Sequence, residues 1–195
     1  MERPVFYFDL GSPYAYLAAE RINEVLGVAP IWRPILLGAI YKRFNRTPWA
    51  VDPDERSAGI AAVERRATER ALMPIRWPQP WPTNTLLAMR AATYAAELGR
   101  GAAFALAAFR QAFAGGRDLA DPDTVAIAGA ACELHPRALL KAAESQVVKD
   151  ALRAATDAAA DLGVRGVPTV AVGTQLFWGD DRLEEAANAL RSPSS

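Results

Sequence analysis

The chain has 195 residues, 51% of them hydrophobic, which is enough to close a sizeable core. Lys+Arg and Asp+Glu each number 22, so the formal net charge is zero and the basic excess of a nucleic-acid partner is missing. The single cysteine, Cys132, excludes an internal disulfide and a multi-thiolate metal site; with no apolar run of membrane-spanning length and no apolar stretch like a secretory signal in MERPVFYFDLGS, a soluble cytoplasmic protein is expected.

In chain order, PVFYFD at residues 4–9 reads as a short buried strand. Ser12 is a good N-cap and Pro13 suits a first helical position, so a helix is expected through Tyr14, Leu17, Ile22 and Leu26, ending at Gly27. PIWRPILL at 30–37 reads as a second strand, with Pro34 favouring an edge or a bend. Residues 38–58 read as irregular. PIRWPQPWP at 74–82, with four prolines and two tryptophans, must be an ordered extended connection. Around it, helices are expected at roughly 54–72, 84–98, 101–114, 122–134, 137–144 and 147–161. PTVAV (168–172) and QLFW (175–178) read as a hairpin turned at Gly173-Thr174, followed by a helix at roughly 181–191 and an SPSS tail. The order is β-α-β, a long helical block, then β-β-α. It predicts an α/β layer fold in which the two ends meet in one sheet and the middle is an insertion.

A strand that turns straight into a helix aims backbone N–H groups at whatever sits at the corner and favours an anion there, a thiolate included. On the residues alone, Ser12 has two readings, a helix cap and a partner for sulfur, and it can be both. Other residues also stay open. Tyr14 and Tyr16 are core or rim aromatics. Asp180 is a helix cap or a site residue, and Asp181-Arg182 a surface pair or part of a site. His135 reads as a surface cap, Cys132 as a buried small hydrophobe, and Trp77, Trp81 and Trp178 as packing groups, with Trp178 able to edge a pocket. No metal-ligand cluster, phosphate loop or Ser/His/Asp set is visible in the sequence.

The corner is similar to that of DsbA-type thioredoxin-like oxidoreductases, but where those carry Cys-x-x-Cys this chain has Ser12-Pro13-Tyr14-Ala15. Disulfide exchange needs a thiolate, so the corner cannot perform it. Over almost its full length the chain resembles the kappa class of glutathione transferases, and within it the 2-hydroxychromene-2-carboxylate isomerases. DLGSPYAY (9–16), LGAIYKRFNRTPW (37–49), GVRGVPT (163–169) and FWGDDRL (177–183) carry the resemblance in order, with RWPQPWPTN (76–84) similar to the family's interdomain segment. The resemblance implies a thioredoxin-like fold with a large all-helical insertion, DsbA-like in plan. Residues 1–40 and 162–195 would form the thioredoxin-like domain and 41–161 the helical one.

The resemblance also implies a site. Ser12 would be catalytic, holding the sulfur of glutathione as thiolate, with Pro13 and Tyr14 beside it. Asn45 would contact glutathione. Val167, before a cis Pro168, would pair its backbone with the cofactor as an added strand. Asp180 and Asp181 would take the γ-glutamyl ammonium. A substrate carboxylate would find a cation among Lys42, Arg43 and Arg46; Lys42 falls on the family's lysine, and a solvated basic loop is equally open for the two arginines. The implied reaction is cis–trans isomerisation of 2-hydroxychromene-2-carboxylate, or a related intermediate of aromatic breakdown, to trans-o-hydroxybenzylidenepyruvate by reversible thiolate addition. A transferase that consumes glutathione and a non-catalytic peptide- or thiol-binding module are the alternatives. A homodimer and a small aromatic carboxylate are the partners implied, with no metal.

Overall fold

The computed structural model describes residues 3–191; the SPSS tail lies outside them. Strand β1 (Val5–Phe8) leads through Ser12 into helix α1 (Pro13–Ala19), then α2 (Ile22–Leu26) and strand β2 (Ile31–Pro34). Helix α3 (Leu37–Arg43), a single 3-10 turn (Trp49–Val51) and α4 (Pro53–Glu69) follow. After the proline-rich connection come α5 (Leu86–Glu97), α6 (Gly101–Phe109) running into a π turn (Arg110–Ala114), α7 (Pro122–Ala130), α8 (Pro136–Ala143) and α9 (Gln146–Asp161). Strands β3 (Thr169–Val172) and β4 (Gln175–Trp178) and helix α10 (Leu183–Arg191) close the described chain.

The two ends meet in one four-stranded sheet of order β2-β1-β3-β4. β1 pairs with β2 in parallel, Val5 opposite Ile31, and with β3 antiparallel, Tyr7 opposite Thr169. β3 and β4 form the antiparallel hairpin expected at Gly173-Thr174. β2 is an edge strand, which is where its Pro34 costs no ladder bond. Alternation along β1 sends Phe6 and Phe8 to one face, into a core shared with Trp32, Phe104, Phe109, Phe113 and Leu183. Tyr7 faces the other way, onto Ile35, Ile40, Ala159 and Ala160 of the elements around α3 and α9. The result is a mixed sheet interrupted by a long helical segment, the plan the resemblance implies.

Two expectations change. The first helix is broken: Arg21 N–H closes a tight turn on the Ala18 carbonyl at 3.0 Å, after which Arg21 is ion-paired with Glu184 of α10. The stretch 38–58 is largely helical: α3 covers its start, beginning at Leu37, which was expected to end a strand, and α4 begins at Pro53 behind an Asp52 cap that accepts from Asp54 N–H at 2.9 Å. The N-terminus of α3 has no local side-chain cap. Instead the Leu37 N–H donates to Asp9 Oδ2 at 2.8 Å, a partner 28 residues earlier that no local pattern reveals.

Candidate active site

The corner after β1 is built by Asp9, Gly11 and Ser12. The Ser12 N–H donates to the Asp9 carbonyl at 3.0 Å, which closes the turn. Its backbone is extended, and its Oγ accepts from Ala15 N–H at 3.2 Å, so the cap predicted for this residue is present. The side chain is buried, 5% exposed. That bond uses the oxygen only; the hydroxyl proton has no acceptor among the described residues. Pro13 has no N–H, and the Tyr14 N–H likewise has no acceptor among the described residues. Two donors are therefore unclaimed at the start of α1.

The Asp9 carboxylate ties three elements to this corner. Its Oδ1 accepts from Gly11 N–H at 2.8 Å and from the Thr85 hydroxyl at 3.2 Å, at the start of α5, while its Oδ2 holds α3. Burial pushes its carboxyl above the ordinary aspartate value, against the opposing pull of those three donors. Neither Asp9 nor Thr85 stood out in the sequence as a site residue.

The corner opens onto a cavity of about 450 Å³. Ser12, Pro13, Tyr14, Val167, Pro168, Asp180 and Asp181, all predicted, line it. Around them stand Tyr41, Trp49, Trp81 and Trp178 as aromatic walls. Trp49 meets Tyr14 edge-on, with ring centres 5.8 Å apart, and lies 5.4 Å from Trp81. Burial raises the Tyr14 and Tyr41 phenols above the ordinary tyrosine value, so both stay neutral and can donate. The Val167–Pro168 peptide is cis. Neither the N–H nor the C=O of Val167 is hydrogen-bonded among the described residues, which leaves a short backbone edge facing the cavity.

Three predicted residues are placed elsewhere. Leu37, Gly38 and Tyr41 are the face of α3 that lines the cavity, so Lys42 and Arg43, on the next positions round the helix, do not; Arg43 pairs with Asp161 of α9 at 2.5 Å. Asn45 is exposed and outside the lining, with φ +52°. Its N–H donates to the Lys42 carbonyl at 3.3 Å and the Arg46 N–H to the Tyr41 carbonyl at 2.9 Å, the paired bonds of a Schellman ending in which asparagine is a tolerated left-handed residue. That turn delivers Arg46, which does line the cavity.

Asp180 is 1% exposed, and its two oxygens accept from two guanidinium groups, Oδ1 from Arg66 of α4 and Oδ2 from Arg70 at the C-cap of that helix. It is thus neither the cap of α10 nor a free carboxylate. Asp181 has a side chain 59% exposed and only a 3.5 Å contact to Arg66. Arg66 lines the cavity and lies 5.4 Å from the Tyr14 ring centre. The sequence put Arg66 on a helix but held no sign of which face it would take. Cys132 is buried in another part of the molecule, its thiol on the Ala128 and Gly129 carbonyls, and His135 is exposed at the start of α8; neither lines the cavity. Among the described residues no cluster of His, Cys, Asp and Glu suits a metal, and no helix is long and apolar enough to cross a membrane.

Comparison with known proteins agrees with this architecture. A model of the DSBA-like thioredoxin domain matches residues 5–191. A 2-hydroxychromene-2-carboxylate isomerase of Sphingobium xenophagum is 29% identical over 188 residues, which cover 92% of this chain and 93% of that protein. The structure of a 2-hydroxychromene-2-carboxylate isomerase superposes with a TM-score of 0.88 at 20% identity, over 97% of this chain and 95% of the other. The cytosolic disulfide reductase DsbM of Pseudomonas aeruginosa, solved with GSH, superposes at 0.66 with 16% identity, over 97% of both chains. At these identities the structural likenesses speak for the fold.

Proposed function

The chain belongs to the DSBA-like thioredoxin domain family, and from that premise we propose that it is a glutathione-dependent cis–trans isomerase acting on 2-hydroxychromene-2-carboxylate or a closely related aromatic acid. The observation that carries the reading is the pair of unclaimed donors, Ser12 O–H and Tyr14 N–H, at a corner with no thiol of its own. The isomerase relative and the relative solved with GSH support the choice of reaction and cofactor.

The residues present fit glutathione. The two donors suit an anionic sulfur in a site where Ser12 is shielded from water. The free backbone edge of Val167 suits an extended peptide. Asp181 offers a carboxylate for an ammonium, while Asp180 keeps Arg66 and Arg70 in place. When bound, glutathione supplies the nucleophile whose reversible addition to a conjugated carbon turns a double bond into a rotatable single bond. Ser12 and Tyr14 hold the sulfur anionic and orient it. The neutral phenols of Tyr14 and Tyr41 are donors for charge that develops on the substrate oxygens. Trp49, Trp81 and Trp178 supply flat apolar walls for an aromatic ring.

Purified protein given the chromene with and without glutathione tests this. Isomerisation that needs glutathione and is lost in Ser12→Ala is expected. Turnover indifferent to both refutes the proposal. A stable glutathione adduct would assign a kappa-type transferase, and glutathione binding without turnover of any electrophile a binding module.

A further inference from the structure

We propose that Arg46 is the carboxylate clamp of this cavity; the inference rests on the reading that an acid is bound there. Two guanidinium groups line the cavity, and they differ in one respect. Arg66 is ion-paired with Asp180 and Asp181. Arg46 has no carboxylate within ion-pair distance among the described residues. One of its terminal nitrogens donates to the Arg165 carbonyl at 3.0 Å. Its guanidinium carbon lies 4.5 Å from the centre of the Trp178 ring and 5.4 Å from that of Tyr41. A guanidinium laid against aromatic faces keeps its edge N–H groups free, and their fork matches the two oxygens of a carboxylate.

The arrangement is supported from behind. Trp178 packs against Gly166, where an added Cβ would meet the indole at 2.6–2.8 Å, so only glycine allows the ring to sit there. The left-handed turn at Asn45 brings the chain round to Arg46, and Gly166 and Arg165 precede Val167, whose backbone faces the same cavity. Arg46 is thus seated on the loop that forms one wall of the site, with its charge uncompensated. A carboxylate there has two possible sources, the conjugated acid substrate and the glycyl end of glutathione.

Wild type, Arg46→Gln and Arg46→Lys are compared by calorimetry with three probes: benzylidenepyruvate, glutathione, and glutathione esterified at its glycyl carboxylate. Arg46→Gln is expected to weaken binding of one acid about 10- to 100-fold, with part of the loss recovered in Arg46→Lys. Loss confined to benzylidenepyruvate assigns the clamp to the substrate. Loss for glutathione but not for its ester assigns it to the cofactor. No loss for either acid, or no binding of either by wild type, overturns the proposal. A wild type that binds an acid through Arg46 yet isomerises no chromene would overturn the isomerase reading and leave the clamp standing.

Discussion

Ser12 does two things that a single substitution would confuse. Its Oγ caps α1 through Ala15 N–H, and its O–H, with no acceptor among the described residues, is the donor that the proposed function gives to the sulfur of glutathione. Ser12→Ala removes both, whereas Ser12→Gly removes the donor but leaves a residue well tolerated at an N-cap. Stability is therefore expected to fall by about 1 kcal/mol for alanine and by only a few tenths for glycine. The effect on sulfur should be the same in the two variants. A hydrogen bond to a charged group is worth about 1.5–3 kcal/mol, and about 1.4 kcal/mol corresponds to one pKa unit, so the bound thiol should titrate about one to two units higher without the hydroxyl. If Ser12 holds the sulfur as proposed, the thiolate in the wild type is present above a lowered pKa and is lost as pH falls through it. In both variants that midpoint moves up towards the free-thiol value. Ultraviolet absorbance of the thiolate, recorded against pH on the saturated complex, gives the midpoint directly, and urea denaturation gives the stabilities. Equal midpoints in all three proteins would refute the role assigned to the hydroxyl. A shift in alanine but not in glycine would move the effect to the helix cap.

Further substitutions probe the supports of the site. Asp180→Asn leaves Arg66 and Arg70 without their shared carboxylate; these arginines are 28% and 15% exposed, so solvent softens the loss to about 2–3 kcal/mol by urea denaturation, whereas Asp181→Asn should cost under about 1. Equal losses in the two variants would contradict the contrast in burial. Burial raises the Asp9 carboxyl in the folded state, so the stability this group contributes is full below the ordinary carboxylate value and is lost as pH rises through the raised one. Asparagine does not titrate; the stability of wild type relative to Asp9→Asn should accordingly decline with rising pH across that window, and a pH-independent difference would count against it. Gly59→Ala places a methyl 2.2 Å from the Trp49 ring, which must swing off Tyr14; a loss of about 1–3 kcal/mol and altered tryptophan fluorescence are expected, and unchanged values of both would show that the ring has room to spare.

Several elements were legible because their causes are local. Ser12-Pro13 and Asp121-Pro122 start helices with a side chain and a fixed φ that act within three residues, and in each the cap is present. The strand runs of β1, β3 and β4 carry their own alternation, and Gly173-Thr174 turns where it should. The family resemblance, read from motifs spread over the whole chain, agrees with the fold. What failed was set at a distance. Helix α3 was read as irregular because its N-terminal donor is satisfied by Asp9, in the corner after β1.

The β-α-β and β-β-α ends, the helical middle and the corner at Ser12 can be read from the residues, because propensity, capping and periodicity are properties of neighbours in the chain. The sequence could place Arg46, Arg66, Asp180 and Trp81 on their segments but not on a common wall. It took the closed fold to show that Asp180 is spent on Arg66 of α4 and Arg70 at its C-cap, that Arg43 leans outward to Asp161 while Arg46 has no carboxylate partner among the described residues, and that Trp178 rests on Gly166. Those outcomes depend on how α3, α4 and the loop before β3 pack round the sheet. Burial and charge pairing are relations between distant segments, and they exist only once the chain has closed.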